Sequence, residues 1–142
     1  MKYNEIISGD YVLEHAKPVA GFMVRADDPN QGGNCPSAFS WSSKFKTQPG
    51  KANDVVEALE ENLPYKSSEP ETTSFLILQG TDEEDVVYVC ERYTSEFALR
   101  DVHHQSAGYA RLREKTGPLI KTRTIDGYHE VAAFLTKQGG MI

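Results

Sequence analysis

The sequence is short of the residues that mark several common protein classes. Only two cysteines, Cys35 and Cys90, stand among its 142 residues. Two thiols build no disulfide framework, and no CxxC or Cys/His metal spacing occurs. The four histidines, His15, His103, His104 and His129, are scattered, and an adjacent pair on one helix ligates a single metal poorly. The glycines of the loop over residues 27–36 lack phosphate-cradle spacing, and no dinucleotide fingerprint follows a strand elsewhere. Lys and Arg number 15 against 21 Asp and Glu, giving a net charge of −6 with no basic cluster. A polyanion such as nucleic acid is therefore not an expected partner. No apolar run approaches the length of a transmembrane helix, and the first eleven residues carry no apolar signal core. The expectation is a cytoplasmic chain with reduced thiols, no membrane contact, no metal and no cofactor.

What is present fits one domain spanning residues 1–142, with 39% hydrophobic and 25% charged residues. A chain of this size buries roughly two thirds of its extended surface, so a real core is available. Residues 1–18 are weakly patterned, and Pro18 is expected to end whatever precedes it. Residues 21–26 are a short strand candidate. Residues 37–47 read as a strand, with Phe39, Trp41 and Phe45 on one face and Ser40, Ser42, Lys44 and Lys46 on the other. Residues 51–63 carry Ala52, Val55, Val56, Leu59 and Leu63 at helical spacing, and Pro64 should stop that helix. Residues 66–73, KSSEPETT, read as a polar loop. Residues 74–80 and 86–93 read as two strands of a hairpin. A helix is expected over residues 95–105, then a further turn around Tyr109 and Leu112. A last strand candidate covers 119–125, Asp126-Gly127 should turn, and a terminal helix should fill the rest.

From residue 37 onward the order is strand, helix, strand, strand, helix, strand. That is the α+β, ferredoxin-like βαββαβ plan, one sheet with both helices on one face. Both parities of the middle strands are apolar, so the bare face calls for a partner, most simply a second copy of the chain packed sheet to sheet.

The stretch over residues 86–106, VVYVCERYTSEFALRDVHHQS, holds the candidate chemistry. Glu91 and Tyr93 share one strand face, opposite to Cys90 and Arg92. Helical spacing groups Leu99, Val102, His103 and Ser106, pointing His103 inward and leaving His104 nearer solvent. Glu91 and His103 could meet beneath the helix, as a carboxylate-oriented general base or as a structural pair. His104 and Tyr93 are further catalytic candidates. Trp41, Phe39, Phe45, Phe97 and Tyr109 are candidates for binding a flat aromatic substrate, with plain core packing as their alternative.

Pro49-Gly50-Lys51 before the first helix, Glu91-Arg92-Tyr93 at a strand end, Ala98-Leu99 in the next helix, and His103 or His104 beyond it resemble the antibiotic biosynthesis monooxygenase domain of the dimeric α/β-barrel superfamily. The resemblance covers about residues 38–125, leaving residues 1–37 as an N-terminal extension and 126–142 as a C-terminal helix. It implies a homodimeric barrel and a cofactor-independent monooxygenase of secondary metabolism, acting on an aromatic or polyketide-like small molecule. The superfamily also includes cyclases, dehydratases, isomerases and haem-degrading proteins, so a non-oxidative enzyme, a non-catalytic ligand-binding dimer and haem binding through a helix histidine stay open.

Overall fold

The computed structural model describes residues 13–25, 27–28, 33 and 35–131. Its centre is a five-stranded antiparallel sheet in the order β1-β3-β4-β2-β5. The strands are β1 (Ala16–Phe22), β2 (Phe39–Thr47), β3 (Thr72–Gly80), β4 (Val86–Tyr93) and β5 (Ile120–His129). Helices α1 (Ala52–Glu61), α2 (Leu63–Ser68) and α3 (Ala107–Thr116) complete the fold, with a π-helical turn over Ala98–His103. Strands β2 to β5 form the ferredoxin-like plan that the sequence predicts, and β1 adds an edge beside β3. Among the described residues no helix is long and apolar enough to cross a membrane.

Strand parity sorts the core. Phe45, Phe75, Ile77, Val87 and Val89 face α1, whose Ala52, Val55 and Leu59 close the layer. A second cluster joins Phe39 and Tyr93 to Ala98 and Leu99 of the π-helical turn. The outer face keeps Ser40, Ser42, Leu76, Leu78, Tyr88 and Cys90 only partly covered or exposed.

Four local expectations are corrected. The first strand lies at Ala16–Phe22 rather than over 21–26, and Pro18 sits inside it. An edge strand tolerates that proline, which stands at a register irregularity between Pro18 and Ala20. Gly21 has φ 111°, and a Cβ there would lie 2.1 Å from the Phe75 carbonyl oxygen, so only glycine fits. Pro64 does bound α1, which ends at Glu61, but helical structure resumes at once where a loop was expected. The proline lies in the first turn of α2, where its missing N–H is no loss. Residues 126–129 continue β5 instead of turning into a helix, and the remainder of the expected terminal helix, residues 132–142, lies outside the described residues, as do residues 1–12 and part of the 27–36 loop.

The parity of β3 has a measurable consequence. Ile77 is fully buried, so Ile77→Ala should lower stability by about 2–5 kcal/mol. Val131→Ala, at a 95% exposed position, should leave the urea midpoint unchanged.

Candidate functional site

The site grows from a break between two helices. Pro64 has no N–H to extend α1, so the backbone turns at Asn62 and starts again as α2. That second helix drives Lys66 under the sheet-facing layer, where its side chain is 1% exposed. β4 brings Glu91 and Tyr93 to it from below. The π-helical turn brings His103 from above. The Lys66 Nζ donates to Glu91 Oε1 at 2.9 Å and to the Tyr93 hydroxyl at 2.8 Å, and lies 2.8 Å from His103 Nε2. Tyr93 donates its own proton to Glu91 Oε1 at 2.7 Å. Phe75 covers the ammonium with its ring, centroid 4.6 Å away.

The fifth member is Glu69, in the segment between α2 and β3. Its two carboxylate oxygens lie 3.0 and 3.1 Å from His103 Nδ1, and Thr72 Oγ1 donates to it at 2.9 Å. These partners assign the tautomer. An ammonium only donates, so His103 Nε2 must accept; Nδ1 then carries the proton and gives it to Glu69. His103 is a neutral imidazole in this arrangement.

The ionisation directions follow from the contacts. Burial alone would raise the Glu91 carboxyl. The Lys66 ammonium, by charge and hydrogen bond, acts with the Tyr93 hydroxyl and His103 to outweigh burial and hold Glu91 below the usual carboxylate value. For Glu69 burial is again opposed, here chiefly by the His103 hydrogen bond, and the balance is also downward. Burial and the Glu91 carboxylate push the Tyr93 phenol well above its ordinary value. Tyr93 therefore stays protonated and serves as a donor.

Above this floor lies a cavity of ≈40 Å³, lined by Lys66, Glu91, His103, Trp41, Phe45 and Tyr109, with aliphatic side chains between them. That void holds roughly two or three waters. A drug-sized ligand needs several hundred Å³, so a larger ligand must displace the wall.

Of the candidate residues, Glu91, His103, Trp41, Phe45 and Tyr109 come together around the cavity. Tyr93 lies beneath, bonded to Lys66 and Glu91. Glu91 and His103 do not meet directly, because the ammonium of Lys66 stands between them and Glu69 orients the histidine instead. Phe39 is core, packed with Tyr93, Ala98 and Leu99. Phe97 is 66% exposed and lies away from the cavity. Arg92, on the same strand face as Cys90, pairs with Glu130 of its own chain.

His104 is not turned to solvent. The π-helical turn closes with a bond from the His104 N–H to the Leu99 carbonyl. A turn of that width makes His103 and His104 the next-turn neighbours of Leu99, and Val102 is swung out to 42% exposure. His104 consequently stacks on Tyr109 at 4.6 Å and meets Trp41 edge-on at 5.7 Å. Burial, then the neighbouring His103, lowers its pKa. Lys66 and Glu69 are the residues that sequence reasoning misses. The only signal for them is the proline at the head of a stretch that otherwise reads as solvated loop. Among the described residues no three His, Cys, Asp or Glu side chains converge as a metal site.

Residues 42–115 match the family model for antibiotic biosynthesis monooxygenase, a span that contains Lys66, Glu69, Glu91, Tyr93, His103, His104 and Tyr109. No curated protein matches the chain. Solved structures share the fold. A candidate antibiotic biosynthesis monooxygenase from Nitrosomonas europaea matches with TM-score 0.63 and 20% identity, over 68% of this chain and 92% of its own. One from Caulobacter crescentus CB15 matches with TM-score 0.62 and 22% identity, over the same 68% and 92%. A candidate monooxygenase from Lactobacillus acidophilus NCFM matches with TM-score 0.64 and 16% identity over 80% of this chain, which spans 49% of that longer protein.

Removing the central cation tests the network. In Lys66→Met the buried Glu91 loses its partner, which should cost about 3–5 kcal/mol at neutral pH. In the parent, Glu91 and Glu69 titrate below their unfolded values. Their contribution is complete above the ordinary carboxylate range and is lost as pH falls through the depressed folded values. In Lys66→Met burial dominates at Glu91 and its folded pKa rises, so that part of the profile should invert, the deficit shrinking as pH falls. Urea midpoints measured across acid and neutral pH check both.

Proposed function

The chain belongs to the antibiotic biosynthesis monooxygenase family, and we propose that it is a cofactor-independent monooxygenase of secondary metabolism, acting on a phenolic or enolisable, polyketide-like aromatic. One observation carries this reading. A neutral His103, oriented by Glu69, stands with a fixed ammonium at the floor of an aromatic-lined cavity.

The chemistry follows from those positions. A substrate hydroxyl, or an acidic C–H next to a carbonyl, reaches the floor. His103 Nε2 takes the proton, and Glu69 stabilises the imidazolium through Nδ1. Lys66 turns its donated hydrogen bond from Nε2 to the oxyanion that has formed. Glu91 and Tyr93 keep the ammonium in place. The substrate anion passes one electron to O2, the radical pair combines to a peroxide anion on a carbon that still bears one hydrogen, and the His103 imidazolium returns its proton to it. Loss of water leaves a carbonyl, so one oxygen atom enters the product and the other leaves as water. The substrate supplies all the electrons. The same base without O2 would serve a cyclase, dehydratase or isomerase.

A non-catalytic ligand-binding dimer is the second reading. It draws on the ≈40 Å³ void and on a polar network already complete without a ligand. Oxygen uptake with hydroquinones and anthrones separates the two. The enzyme consumes O2, and a folded His103→Ala variant should lose about 100- to 10,000-fold in rate. No uptake with any substrate favours the binding protein; product without uptake favours the non-oxidative enzyme; undiminished turnover in His103→Ala removes that histidine.

A second copy covering the outer sheet face belongs to the same proposal, supported by the apolar surface of Leu76, Leu78, Tyr88 and Cys90. Light scattering should give twice the 15.8 kDa chain mass, and a monomer at micromolar concentration would refute it.

A further inference from the structure

The charge that lines the cavity opposes the charge of the chain. Lys66, Arg113 and Arg123 line it against a single carboxylate, Glu91, in a protein of net charge −6. Lys66 and Glu91 answer each other at 2.9 Å, so the two arginines are the excess. Arg113 comes from α3 and Arg123 from β5, and both are exposed.

Three other arginines hold carboxylates: Arg25 pairs with Asp27, Arg92 with Glu130, and Arg100 with Glu96. Arg113 and Arg123 have no such partner among the described residues. Each instead lays its guanidinium on a ring of the cavity wall. Arg113 lies 5.9 Å from the Tyr109 centroid, and Arg123 lies 5.0 Å from the Phe45 centroid. An arginine held near a ring and tied to no carboxylate keeps its N–H groups for an acceptor, and a carboxylate matches two of them with its two oxygens. Both side chains are exposed and tied by no ion pair, so they can part to admit a ring larger than the present void.

We propose that Arg113 and Arg123 dock a carboxylate carried by the ligand. The ligand class is then an aromatic acid, whose phenolic or enolic hydroxyl descends to Lys66 while its carboxylate stays at the mouth. The excess positive charge at a partly apolar opening also draws such anions toward it. This inference rests on the proposed function in one respect, that the cavity receives a phenol or enol.

Trp41 is the only tryptophan of the chain and lines the cavity, so its fluorescence reports occupancy. The intact protein is titrated with para-hydroxyphenylpropionate and with the uncharged amide of the same molecule. The carboxylate should bind about tenfold or more tightly than the amide, as charge-assisted hydrogen bonds require. Added salt should shrink the difference. The double variant Arg113→Gln/Arg123→Gln should abolish the preference for the acid over the amide, and Arg111→Gln on the same helix should keep it. Circular dichroism confirms that the variants are folded. Equal binding of acid and amide to the parent, or a preference that survives the double variant, overturns the proposal and leaves the phenol site standing. Binding of neither overturns both.

Discussion

An ammonium group taken out of water has to be answered on every side, and Lys66 is that group in this protein. Its three protons find three acceptors on two different elements: Glu91 and Tyr93 from β4, and His103 from the π-helical turn. The arrangement fixes how α2 docks, and α2 in turn fixes Glu69. Helix docking does not require this. A buried ion pair seldom stabilises more than well-packed apolar side chains of the same volume. Phe75, Leu59 and Val89 already surround the position with apolar surface. Retaining an ammonium, two carboxylates, a phenol and an imidazole there is costly for stability alone, which points to use.

The network also controls when the histidine is a base. In the resting arrangement Nε2 accepts from Lys66, and protonating it would set an imidazolium N–H against an ammonium. The proton can be taken only as Lys66 transfers its hydrogen bond to another oxygen. An oxyanion forming at the cavity floor is such an oxygen. Proton removal and anion stabilisation are thereby coupled in one exchange of partners. Glu91 and Glu69, both held below the usual carboxylate range, keep opposite charge on the far sides of the two cations through that exchange.

The central strands β2 to β4 and α1 were legible because their side-chain period is a direct consequence of one-sided burial: the Phe39–Trp41–Phe45 alternation, the Val55–Leu59 spacing, and the limits of β4 all match the structure. Lys66 was not legible. A lysine in a run of Ser, Glu and Thr has every local sign of a solvated residue, and only the tertiary placement of Glu91 makes its burial affordable. The exposure of His104 was misjudged for a different reason. An α-helical period was assumed where the backbone inserts a wider turn, and nothing in ALRDVH announces that geometry. Glu69 failed on distance in sequence, since it is 34 residues from the histidine it orients.

Asp126-Gly127 illustrates how a turn signal is overridden by packing. Gly127 pairs with Trp41 in the register of β2 and β5. A Cβ on it would lie 2.7 Å from Phe39 Cζ and 3.1 Å from Trp41 Cε3. The glycine is there to give the two rings room, which is a strand role, not a turn role. With that space Phe39 settles into the core beside Tyr93, while Trp41 leans toward the cavity and His104. Because β5 continues unbroken past this point, Ile125 and Arg123 keep the same face as Gly127 and reach the cavity wall. The aromatic wall and the excess charge at its mouth are thus set by one strand, and a real turn at 126–127 would have changed the register on which both depend.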